Sequence, residues 1–253
     1  MSGHSKWATI KRKKGATDAA RGRLFTRLIK EISIAARDGG GNPDGNPRLR
    51  LAIQNAKAAN MPAENIKRAI QRGTGELEGV TFEEVTFEGY GPGGVAVLVE
   101  VVTDNNNRTV SDLRRVFSRN HGNLGQSGSV AWMFHKKGTI VVPKAGQKSA
   151  LNEDDLLTII LEAGAEDMQT DDDTYTITTS PHEFEALKKA LEEKVIVMET
   201  TSLQMVPQNM IKVTGKEAEQ TLKLMEALEE HDDVQNVYSN FDIDEKELAA
   251  LQG

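Results

Sequence analysis

Hydrophobic positions along this chain change period partway through. Between residues 18 and 38 they recur at helical spacing. Leu24, Phe25, Leu28, Ile29, Ile32 and Ala36 fall on one arc at about 100° per residue, and Arg23, Arg27, Lys30 and Arg37 fall on the opposite arc. Gly39-Gly40-Gly41 stops this helix, and the following Asn42-Pro43-Asp44-Gly45-Asn46-Pro47 reads as an irregular loop. A second helix is predicted over 48–60, with Leu49, Ala52, Ile53 and Ala56 inward. Met61-Pro62 breaks it, and Pro62 suits the first turn of a third helix that closes at Gly73-Thr74-Gly75. Three helices this short pack as a small bundle.

The period then becomes two. Residues 81–88 and 95–103 read as strands around Gly89-Tyr90-Gly91-Pro92-Gly93-Gly94, which makes a hairpin. A helix over 106–120 follows, with Val110, Leu113, Val116 and Phe117 inward, and then a strand over 129–134. Strand 139–142, helix 154–163, strands 167–170 and 174–179, helix 183–194 and a partly extended 195–204 run in the order βαββαβ, the split-βαβ arrangement. A strand at 210–213, a helix at 217–230 and a strand at 234–239 then complete the unit begun at Thr81. The acidic segment near 135–205 is accordingly read as an insertion.

Composition narrows the class. The 253 residues allow one large domain or two to three small ones. No run approaches the roughly 18 apolar residues a membrane span needs, and no apolar stretch follows the charged start as a secretory signal requires. Cysteine is absent, which removes disulfides, thiolate chemistry and Cys-type zinc sites. A cytoplasmic location with no membrane partner is expected.

The net charge of −7 argues against a polyanion partner, but its distribution argues for one. Residues 1–78 hold 16 Lys/Arg and 7 Asp/Glu, a net of +9, whereas residues 79–253 hold 15 and 31, a net of −16. Residues 1–30 carry nine bases and one acid, Asp18. Lys6, Lys11, Arg12, Lys13, Lys14, Arg21, Arg23, Arg27 and Lys30 are therefore candidate phosphate contacts, set against a plain solvated helix face and tail. Trp7 sits among them and could stack on a base or anchor the arm. Arg108, Arg115 and Arg119 share a helical stripe that could extend the track. Asp112 lies within that stripe, so surface ion pairs account for it as well.

Other motifs fail on context. Gly89–Gly94 matches G-x-G-x-x-G, but a strand follows it where a dinucleotide site needs a helix. Gly122-Asn123-Leu124-Gly125 resembles the clamp of KH modules without the helices of that module. Gly215-Lys216 is followed by Glu217, so there is no P-loop. The five histidines are scattered, and the acidic runs Glu153–Asp155 and Asp171–Asp173 suit a helix start and a hairpin turn. No cofactor, metal or catalytic set is expected, and the chain is read as a non-enzyme.

Gly3-His4-Ser5-Lys6-Trp7, the stretch from Asn46 to Lys57, Asn60-Met61-Pro62, Tyr90–Ala96, Thr103–Thr109, Gly122–Gly125 and Ser127–Phe134 together resemble the YebC/PmpR family in order and spacing. Arg12-Lys13-Lys14 departs from the His-Arg-Lys type of run common there and preserves its charge. The resemblance implies an α+β chain: an N-terminal three-helix domain (1–78) and two ferredoxin-like α/β domains, one (135–205) inserted in the other (79–134 and 206–247). It also implies a nucleic-acid-binding regulator of gene expression, described in the family as transcriptional. Mitochondrial relatives act in translation, so ribosomal RNA or tRNA, and the ribosome itself, stand as alternative partners. No recognition helix of helix-turn-helix type stands out from the sequence, which weakens DNA reading. A monomer is favoured.

Overall fold

The computed structural model describes residues 18–148 and 151–251. Helix α1 (Asp18–Gly39) is followed by α2 (Pro47–Ala58) and α3 (Ala63–Gly73). The buried Asn46 joins the first two. Its Oδ1 accepts the Leu49 N–H at 3.0 Å as an N-cap, while its Nδ2 donates to the carbonyls of Ala35 and Gly40. Pro47 takes the first helical position, where a missing N–H costs nothing. Ile32, Ala35, Ala36, Leu49, Ala52, Ala56, Ile66 and Ala69 form the helical core. Small residues let α1 and α3 approach closely. A Cβ on Gly73 would lie 2.2 Å from the Ser33 carbonyl oxygen.

Strands β1 (Glu83–Tyr90) and β2 (Ala96–Thr103) pair antiparallel around a turn in which Gly93 and Gly94 take positive φ. Helix α4 (Asn106–Arg119) and the short β3 (Asn123–Leu124) follow. After the insertion come β8 (Ile211–Lys212), α7 (Gly215–Glu229), β9 (Val234–Ser239), β10 (Phe241–Asp242) and α8 (Glu245–Ala250). The sheet order is β3-β1-β2-β9, all antiparallel. Val97, Val99, Val101 and Val237 from the strands meet Leu113 and Phe117 of α4 and Leu224, Met225 and Leu228 of α7. This layer and the three helices belong to one compact unit.

Residues 132–210 form a second unit. It contains β4 (Phe134–Pro143), α5 (Glu153–Glu162), β5 (Ala165–Thr170), β6 (Thr174–Thr179), α6 (Phe184–Glu193) and β7 (Thr200–Pro207). The antiparallel order β5-β6-β4-β7 is that of a ferredoxin-like βαββαβ unit. Ile140, Val142, Leu156, Ile160, Ile177, Leu187 and Leu191 make its separate core. The fold is α+β throughout.

Two expected strands differ. Residues 129–133 are not extended; a 3-10 turn at Ala131–Met133 precedes β4, and β3 is the strand that borders β1. The strand expected at 210–213 shrinks to β8, which pairs parallel with β10 instead of joining the larger sheet. Helix α8 was not anticipated.

Candidate nucleic-acid interface

Lys6, Trp7, Lys11, Arg12, Lys13 and Lys14 lie outside the described residues. The remaining candidates on α1 divide sharply along its length. Arg21 is exposed, and its guanidinium sits 5.6 Å from the Phe25 ring centroid one turn on. Arg23 approaches Glu230 at 3.6 Å. Arg27 donates to the Glu229 carbonyl. Burial pulls its guanidinium below the ordinary value, partly offset by Glu229. Lys30 is only 6% exposed. Its ammonium donates to Asp233 Oδ1 at 2.7 Å, the Asp232 carbonyl at 2.9 Å and the Val102 carbonyl at 3.0 Å.

All three donors of that ammonium are thereby satisfied internally. Lys30, expected among the phosphate contacts, is instead a tie between α1 and the end of the β2 and β9 strands. Asp233 also accepts from Arg108 Nη2 at 2.9 Å and Thr109 Oγ1 at 2.7 Å. Burial alone would raise this carboxyl, but the hydrogen bonds from Lys30, Arg108 and Thr109 outweigh it and hold the group well below the usual carboxylate range.

The stripe on α4 is similarly mixed. Arg108 pairs with Asp104 as well as Asp233, and Arg115 pairs with Asp112 at 2.8 Å. Arg119 and Arg114 are exposed and make no ion pair among the described residues, although Arg114 lies off the stripe that Arg108, Arg115 and Arg119 share.

The short helices α2 and α3 also carry cations that meet no carboxylate among the described residues. Arg50, Lys57, Lys67 and Arg72 are exposed and form no ion pair among the described residues. By contrast Arg48 is held by Glu31 and Glu84, and Arg68 by Glu64. Helix α2 contains no Asp or Glu. That acid-free run is visible in the sequence, although the density of basic residues nearer the start is greater.

The loop beside α4 is also built around a charge. Glu88 is buried, and its carboxylate accepts the N–H groups of Gly128, Val130 and Ala131 at 2.6–2.7 Å. Burial raises this carboxyl, and the three backbone donors more than reverse the effect. The backbone of 128–131 is thus shaped by a resident anion. Among the described residues no group of three or more His, Asp or Glu is gathered as a metal site requires. No described helix is long and apolar enough to cross a membrane.

An α+β chain with a helical domain at one end of a split sheet domain is the class these features define. Residues 5–76 match the TACO1/YebC protein N-terminal domain, and residues 82–241 match the TACO1/YebC second and third domain. The chain belongs to the TACO1/YebC family. It is 58% identical over 253 residues to a "probable transcriptional regulatory protein" of Koribacter versatilis, covering 100% of both chains. A protein of the same description from Chlorobaculum parvum is 56% identical, with 100% of this chain and 99% of that one covered. The crystal structure of the conserved hypothetical protein Aq1575 from Aquifex aeolicus superposes with a TM-score of 0.79 at 49% identity, covering 90% of this chain and 93% of that one.

Proposed function

We propose that the protein is a non-enzymatic, cytoplasmic regulator of transcription that binds nucleic acid through its N-terminal helical part. The observation that carries this reading is the segregation of charge. A chain of net −7 concentrates a net of +9 in residues 1–78. On the described helices of that part, Arg21, Arg50, Lys57, Lys67 and Arg72 stay exposed and form no ion pair with a carboxylate among the described residues. Exposed cations that close on a neighbouring carboxylate, as Arg48 and Arg68 do, are of little use to a polyanion, whereas these five are not committed in that way. Unpaired cations beside an acidic remainder suit a polyanion while discouraging indiscriminate adhesion. The naming of the bacterial relatives as probable transcriptional regulators supports the same reading.

Fluorescence anisotropy of duplex DNA, duplex RNA and single-stranded RNA, titrated at several salt concentrations, tests it. Binding that weakens steeply with salt is expected. Absence of binding to all three at low salt would remove the reading. Salt-sensitive sedimentation with ribosomes, without duplex DNA binding, would shift the target to ribosomal RNA or tRNA.

A further inference from the structure

Helix α2 has an outward face unlike any other in the helical domain. Its inward side is Leu49, Ala52 and Ala56, all buried. Opposite them Leu51, Gln54 and Ala58 form a central exposed ridge, with Arg50 and Lys57 along one flank and Asn55 along the other. Leu51 is 52% exposed, a large apolar side chain at the centre of a polar face. No acid lies anywhere on the helix. The neighbouring α3 does not share this character, because Glu64 sits on its outward side and holds Arg68.

Resting on the proposed nucleic-acid binding, we infer that α2 is a reading helix for duplex DNA, entering the major groove by this face. Arg50 and Lys57 suit the phosphates on one wall. Gln54 and Asn55 carry amides able to pair with the edge of adenine, and Leu51 and Ala58 offer apolar contact to thymine methyl groups. The choice of DNA follows from shape as well as charge. An α-helix fits the major groove of B-form DNA, whereas the deep, narrow major groove of A-form RNA admits none. The face is open along its length, with Arg50, Leu51, Gln54, Asn55, Lys57 and Ala58 all exposed. Asn46 fixes the start of α2 through its N-cap, and the left-handed Asn60 (φ 59°) begins the turn into α3.

The test uses the full chain and a random-sequence duplex DNA library. Wild type and the double variant Gln54→Ala/Asn55→Ala are each carried through binding selection, and affinities for the selected and a scrambled duplex are then measured. Both side chains are exposed, so the variant is expected to keep the wild-type circular dichroism and melting temperature. Wild type is expected to enrich a motif and prefer it by about tenfold or more. The variant should lose that preference while binding the scrambled duplex within about twofold of wild type, as sequence-blind phosphate contacts require. If wild type enriches a motif and the variant keeps it, the inference is overturned and nucleic-acid binding stands. If wild type binds every duplex alike, or prefers RNA, the inference is again overturned and the broader reading stands. If wild type binds no nucleic acid, both fall together.

Discussion

Asp233 collects Lys30, Arg108 and Thr109 on one buried carboxylate, and the consequences of removing any partner follow from burial. Lys30→Met leaves the carboxylate short of its principal counter-charge, and breaking a buried pair on one side costs about 3–5 kcal/mol. A loss of this size is expected in urea unfolding of the variant. Arginine at the same position should not restore it, because the guanidinium fork does not reproduce three donors around one nitrogen. The pH dependence has a definite sign. The folded Asp233 carboxyl is depressed, so its contribution is present above the unfolded carboxylate value of about 3.9 and is lost as pH falls below it. The stability gap between wild type and Asp233→Asn is therefore expected to be constant near neutrality and to narrow below about pH 4. A gap that widened with acidification would contradict the role assigned to this residue. Periodicity placed Lys30 on a polar arc, correctly in the sense of angle. What it could not supply was Asp233, 203 residues further on.

At the level of elements, the boundaries and types of most helices and strands could be read from local pattern. Strand β9 starts and ends where its alternation does. The insertion's βαββαβ order is visible because each segment carries its own period and turn residues, as at Asp171–Asp173. Failures occurred where tertiary bonding replaces ladder bonding. Residues 129–133 look like a strand, but the Val130 and Ala131 N–H groups are taken by the Glu88 carboxylate instead of a neighbouring strand. The C-terminal half of α1 is buried from Ile32 to Ala36, broader than a single amphipathic arc, because α2 and α3 cover one side and the segment from Arg72 to Phe82 runs beside Ser33 and Ile34. The contact of α1 with α3 gives a sharp prediction. Gly73→Ala must push the Ser33 carbonyl aside, and overpacking of this kind costs about 1–3 kcal/mol. A lower melting temperature is expected; an unchanged one would mean that the helices can separate without loss.

For the whole molecule, charge segregation was legible directly from counting residues, and the family resemblance extended over the full chain. Which cations remain available was not legible, since pairing is a property of three-dimensional neighbours. The two basic groups make separable contributions. Deleting residues 1–16 removes Lys6, Lys11, Arg12, Lys13 and Lys14 and leaves the described helices intact. The slope of log affinity against log salt on duplex DNA is expected to become shallower by up to about 4 units, with little change in unfolding. An unchanged slope would exclude the arm from the interface and leave the helical surface to carry it.

The tie between Lys30 and Asp233 also bears on the order in which the protein is made. The lysine leaves the ribosome 203 residues before the aspartate. At about 5–20 residues per second that is an interval on the order of ten to forty seconds. During that time the nascent first helix carries an ammonium whose permanent partner has not been synthesised, while the inserted domain has already received every strand of its own sheet. The part of the molecule made first is thus among the last to be locked in place.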